Sequence, residues 1–241
     1  MHGIWPTKDF TIGPLFCNRS ASFDFNEIQG ILDQLKLHWT NVRANTELDN
    51  FWEHEWTKHG TCAMQLEVFN TELKYFSQGL ALNEKFPLAQ YLAQANIKPG
   101  KIYETKDVFE AVKKGIGGKN PALECQHMPE DFVKPVLTQI GICLDKNLSV
   151  IDCDKTHGGI YGKCPPFDFI EFPATEDRTR SGKAGNFNST VECFPWLCFV
   201  VKTSADKMIL QIFDIFSHDF SLFSTQLTLF RPRNSIGLKK D

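Results

Sequence analysis

Phe51-Trp52-Glu53-His54-Glu55-Trp56-Thr57-Lys58-His59-Gly60-Thr61-Cys62 packs two imidazoles, two carboxylates, an ammonium and two indoles into twelve residues. No other stretch of the chain is as dense in groups that move protons. Placed on a helix, His54, Glu55, Lys58 and His59 fall at i, i+1, i+4 and i+5 and cluster on one face, with Trp52 and Trp56 behind them as core anchors. Histidine titrates nearest neutrality, so such a face can give and take protons. Lys58 can stabilise negative charge growing on a phosphoryl oxygen. Two plainer readings compete. A solvated charged helix face needs no function at all. A zinc protease needs histidines at i and i+4, but here the i+4 position holds Lys58 and His59 comes one residue late.

The N-terminus adds a second histidine beside a tryptophan, Met1-His2-Gly3-Ile4-Trp5-Pro6. The two segments together resemble the ribonuclease T2 family. His2 to Pro6 matches its His-Gly-Leu-Trp-Pro signature with Ile4 for Leu, and Phe51 to Cys62 matches its second signature. The spacing between them fits, as does Cys17-Asn18-Arg19-Ser20, and the resemblance runs to about residue 172. It implies an α+β ribonuclease T2-like fold: a central antiparallel sheet with several helices, stapled by disulfides. It also implies an endoribonuclease of low base specificity, with no cofactor and no metal, that cuts single-stranded RNA to 2′,3′-cyclic phosphate ends. By the same resemblance His59 is the general base on the 2′-OH and His2 the general acid on the leaving 5′-oxygen. His54 binds phosphate, and Glu55 and Lys58 stabilise the pentacovalent intermediate. Trp5 and Phe51 stack on the bases 5′ and 3′ to the cut.

Two imidazoles on opposite sides of a phosphorus suit an in-line displacement and predict a bell-shaped pH profile. A 2′-OH nucleophile spares DNA. The rival from another class is a non-catalytic extracellular regulator on the same fold, distinguished by a cellular effect that survives mutation of His59.

Composition agrees with an enzyme that visits RNA rather than packages it. The 241 residues carry 26 Lys and Arg against 29 Asp and Glu, a net charge of −3, with no basic footprint. Eight cysteines, none in a Cys-x-x-Cys pair, favour disulfides and an oxidising compartment. The resemblance implies the pairs Cys17–Cys62, Cys125–Cys164 and Cys143–Cys153; it assigns no partner to Cys193 or Cys198. The last pair would also flank a hairpin turning at Asp145-Lys146-Asn147. Sequons at Asn18, Asn147 and Asn188 are candidate glycosylation sites.

The cysteines and the resemblance make the expected localisation secreted or lysosomal for a complete form, although no charged, apolar leader precedes His2 and the family's N-terminal strand is absent. No run reaches membrane-spanning length, and the expected state is a monomer.

Apolar periodicity predicts a helix over 24–39 capped by Asp24, and a second on the stripe Leu66, Phe69, Leu73, Phe76 and Leu80. Shorter helices are expected over 86–95 and 105–114, and strands near 122–126, 136–144 and 148–152. Lys113 to Asn120 lacks the phosphate-loop spacing and reads as a helix-to-strand connector. The catalytic domain is expected over 1–172. Residues 173–241, a polar Gly/Ser-rich linker and a Phe-rich extension, do not resemble the family.

Overall fold

The computed structural model describes residues 1–41, 47–128 and 132–174, together with the backbone of 198–203 and 207–213. Strand β1 (Gly3–Thr7) comes first. A 3-10 turn over Phe25–Ile31 follows and leads into α1 (Leu32–His38). Asp24 caps the turn as its side chain accepts from the Asn26 N–H. The helix expected over 24–39 is therefore two pieces.

Next come α2 (Leu48–Glu55), a π-helical segment over Trp56–Gly60, and the single turn α3 (Thr61–Ala63). Helix α4 (Glu72–Lys85) starts only at Thr71, whose hydroxyl accepts from the Lys74 N–H. Leu66 and Phe69 thus precede the helix, and its core face is Tyr75, Phe76, Gly79 and Leu82, while Leu73 points to solvent. The chain continues through α5 (Leu88–Gln94), β2 (Lys101–Glu104) and α6 (Thr105–Gly115). Beyond α6, Gly117 and Gly118 take positive φ and the Gly118 N–H donates to the Lys113 carbonyl, a helix C-cap. The Gly/Lys-rich stretch is thus the connector its sequence suggested.

The remaining strands are β3 (Ala122–Gln126), β4 (Val136–Asp145), β5 (Val150–Ile151), β6 (Phe169–Phe172), β7 (Cys198–Thr203) and β8 (Lys207–Phe213). Nearly all of β4 is buried, including the polar Thr138 and Gln139, and it forms the sheet's centre. It pairs antiparallel with β3, β5 and β8, and over one residue pair parallel with β6. The sheet runs β1-β7-β8-β4-β6-β2, with further pairing between β1 and β8. The backbone of the extension therefore joins β1 to the sheet centre. The fold is α+β, as expected, and its sheet is open.

The core fills the space between the helices and the sheet. Trp39, Trp52, Phe51, Phe69, Tyr75, Phe76 and Ile4 are its large buried members, and Trp39 and Tyr75 each pack edge to face with Phe76. Three disulfides staple it: Cys17–Cys62, Cys125–Cys164 and Cys143–Cys153. These are the three expected pairs. Among the described residues no helix is long and apolar enough to cross a membrane. Asn188 and Cys193 lie outside the described residues, as does the side chain of Cys198.

Candidate active site

Two elements meet to build the site, β1 and the run from α2 through the π segment. Tyr75 on α4 locks them together. Its hydroxyl accepts from the Ile4 N–H at 3.2 Å and reaches the carbonyls of Ile4 (3.1 Å) and Glu55 (3.4 Å). Burial pushes that phenol well above its usual pKa, so it stays protonated and able to donate. His2 is fixed from its own backbone: the Trp39 indole N–H donates to the His2 carbonyl at 2.6 Å, and the Trp52 indole donates to the Trp39 carbonyl at 2.9 Å. The sequence reading singled out neither Tyr75 nor Trp39. The available signal was that a Tyr or Trp buried in an apolar stripe must find a polar partner.

Local backbone geometry decides which residues face the cleft. A π turn closes hydrogen bonds five residues apart, and the Thr61 N–H does reach the Trp56 carbonyl. The wider turn brings His54 and His59 to a ring separation of 6.3 Å despite their i+5 spacing. Gly60 permits it, because a Cβ there would strike the Trp56 ring.

Glu55 lies at the centre, fully buried. His2 Nε2 is 3.4 Å from Glu55 Oε1, and His54 Nε2 is 4.0 Å from the same oxygen. The Trp5 indole N–H donates to Glu55 Oε2 at 2.8 Å, and the Trp5 ring stacks on His59 at 4.5 Å with a 17° tilt. Phe51 packs 5.5 Å from the His2 ring and is fully buried. Lys58 is half-buried and near enough to disfavour charge on both His2 and His59. The structure thus brings together His2, Trp5, Phe51, His54, Glu55, Lys58 and His59. Asn18 and Asn147 are exposed and lie in a loop and a turn apart from that group.

The electrostatics follow from burial. For His2, desolvation lowers the pKa below the usual imidazole value and outweighs the opposing pull of Glu55. For His59 the same desolvation acts more strongly and holds the ring neutral well into acid. Burial pushes Glu55 upward, but the adjacent His2 and His59 and the Trp5 N–H hold it below the ordinary carboxylate range. Both His59 nitrogens are buried without a hydrogen-bond partner among the described residues, a costly arrangement in a native core. The donor atoms of His54, Glu55 and His59 also lie within 4.8 Å of one another, so the π turn restores the convergence that the i+5 spacing seemed to deny a cation.

Residues 1–153 match the model of the Ribonuclease T2 family. The chain belongs to the ribonuclease T2 family. It is 39% identical to Ribonuclease Oy of Magallana gigas over 180 residues, covering 73% of this chain and 84% of that protein. With Ribonuclease T2 of Danio rerio it shares 36% identity over 157 residues, 65% of this chain and 62% of the other. Human RNase T2, solved by crystallography, superposes with a TM-score of 0.61 at 31% identity, over 71% of this chain and 83% of that one. RNase NT in complex with 5′-AMP superposes at 0.60 and 29% identity, over 72% and 81%. Membership supports ribonuclease activity in general terms. The matched span holds every histidine and carboxylate of the cluster around Glu55.

Proposed function

We propose that the protein is a metal-independent endoribonuclease that cuts single-stranded RNA by transphosphorylation, with low base specificity. One observation carries this reading: two buried imidazoles, His2 and His59, flank the buried Glu55 carboxylate, with Lys58 alongside. His59, kept neutral by burial, takes the proton of the ribose 2′-OH. The freed oxygen attacks phosphorus in line. Lys58 offsets the charge that develops on the pentacovalent phosphorane, the ionised Glu55 orients His2 and favours its protonated form, and His54 binds a phosphate oxygen. His2, in its protonated form, gives its proton to the departing 5′-oxygen. The products are a 2′,3′-cyclic phosphate and a new 5′-hydroxyl. Trp5 and Phe51 are the base-stacking rings of this reading once substrate opens the site.

Because the nucleophile is the 2′-OH, DNA is spared. The catalytic domain spans residues 1–172, and 173–241 is an extension that supplies sheet strands. Three disulfides fit an oxidising compartment, and hence a secreted or lysosomal setting. In this reading the protein is a monomer, with Asn18, Asn147 and Asn188 as its glycosylation sites. RNase NT was solved with 5′-AMP, a nucleotide that suits such a cleft.

The test is cleavage of single-stranded RNA in EDTA beside a His59→Ala variant. Undiminished cleavage in chelator, lost by orders of magnitude in the variant, is the expected result. Cleavage that disappears with chelation would assign the His54–Glu55–His59 group to a metal instead.

A further inference from the structure

The loop between β1 and the Cys17–Cys62 disulfide carries an aromatic ring that the reaction above leaves unused. Phe16 is 50% exposed and sits at φ 52°, a left-handed conformation rare for a bulky residue. Two tethers hold it there. Its backbone N–H donates to the Lys58 carbonyl at 2.9 Å, and the next residue, Cys17, is bonded to Cys62. Both anchors lie in the helical run that presents His54, Lys58 and His59. A lone exposed apolar side chain is ordinary. A strained phenylalanine pinned twice to the helix that carries the reacting groups is not, and backbone strain persists only where the surroundings over-determine it. Phe51 is 0% exposed and Trp5 is engaged with Glu55 and His59, so both stack on a base only once the site opens, whereas the Phe16 ring is already exposed.

We propose that Phe16 is a base-stacking residue of the substrate site, receiving an unpaired base of the RNA strand adjacent to the scissile phosphate. This rests on the ribonuclease reading above. Stacking asks only for a π-face, so Phe16 adds affinity without reading sequence. Lys58, on the same anchor, supplies the cation that a neighbouring phosphate needs. Phe10 provides the internal comparison. It is also exposed (66%) and left-handed (φ 61°), but its N–H is tied to the Lys155 carbonyl and not to the site helix.

The test is steady-state cleavage of a single-stranded RNA oligonucleotide by the full chain and by Phe16→Leu, Phe16→Tyr, Phe16→Gly and Phe10→Leu. Loss of one stacked base raises KM about fivefold or more in Phe16→Leu, with kcat within about twofold. Phe16→Tyr, which keeps the ring, stays at the wild-type KM. Phe16→Gly relieves the left-handed backbone, so it raises KM without lowering the melting temperature. An unchanged KM in Phe16→Leu overturns the assignment, as does an equal loss in Phe16→Tyr or in Phe10→Leu. If the wild type cleaves no RNA, the ribonuclease reading fails on its own account. The same variants are then compared by anisotropy of a fluorescein-labelled single-stranded RNA. Weaker binding by Phe16→Leu with Phe16→Tyr intact still supports the stacking role; equal binding by all, or none by the wild type, overturns it.

Discussion

At Gly3 the site leaves no room for a methyl group. A Cβ there would collide with the Glu55 carboxylate and crowd the Trp5 indole nitrogen. Gly3→Ala must therefore displace the carboxylate that the histidines share. Misplacing a reacting group by about an ångström costs on the order of a hundredfold, so kcat/KM for RNA should fall at least about tenfold while the fold survives. Wild-type kinetics in Gly3→Ala would contradict the geometry around Glu55.

The pH profile is set at the same scale. The proposed reaction needs His59 neutral and His2 protonated, so activity should rise as pH climbs through the His59 pKa and fall as pH climbs through that of His2. Burial lowers both values below the usual imidazole value. The optimum should thus be acidic, with the falling limb below pH ~6.5. A pH–rate profile of kcat/KM that peaks above neutrality would count against this assignment of roles.

The residues that cluster around Glu55 were legible in the sequence because each motif is local. Tyr75 and Trp39 were not, because what marks them is a partner far along the chain, Ile4 for one and His2 for the other.

Among the elements, α4 holds a titratable group outside the site. Both Glu72 carboxylate oxygens accept from the Asp24 N–H, at 3.0 and 3.1 Å, so the first turn of α4 anchors the start of the turn at Phe25. Burial raises the Glu72 pKa to about 7, against the opposing Asp24 N–H. A carboxyl whose folded pKa exceeds its unfolded value binds more protons in the native state across that interval. Its contribution is present at acid pH and is lost as pH rises from about 4.5 towards 7. Glu72→Gln keeps an acceptor and removes the titration, so its melting temperature should vary less over that window than the wild type's. Parallel curves for the two proteins would refute the linkage.

The helices themselves were legible from apolar periodicity, but their starts were not. Thr71 rather than Leu66 opens α4, because a side-chain cap and not the stripe decides where the first free N–H groups are satisfied. The π segment was hidden for a related reason. Spacing was read at 3.6 residues per turn, and one wider turn realigns His54 with His59. Strand β1 escaped notice because five residues with a proline carry little alternation.

For the whole molecule, the placement of β1 depends on pairing remote in sequence. Strand β8 pairs with five residues of β1 and with seven of β4, from Gln139 to Asp145. Nothing in the composition of residues 173–241 announced this, since pairing partners are set by tertiary context rather than by local propensity. Ending the chain at residue 174 should lower the melting temperature by about 4 °C or more and reduce ribonuclease activity, because β1 carries the backbone next to His2. A truncated chain with full stability and rate would show that the extension is dispensable.

In the proposed reaction two imidazoles drive attack by the ribose 2′-OH. The most direct measurement is product analysis on an RNA oligonucleotide and on the same oligonucleotide bearing a single 2′-deoxy residue. Attack by the 2′-OH gives a 2′,3′-cyclic phosphate at every cut, with cleavage absent only after the deoxy residue. Cleavage continuing after the deoxy residue, or ends bearing a 5′-phosphate, would contradict it.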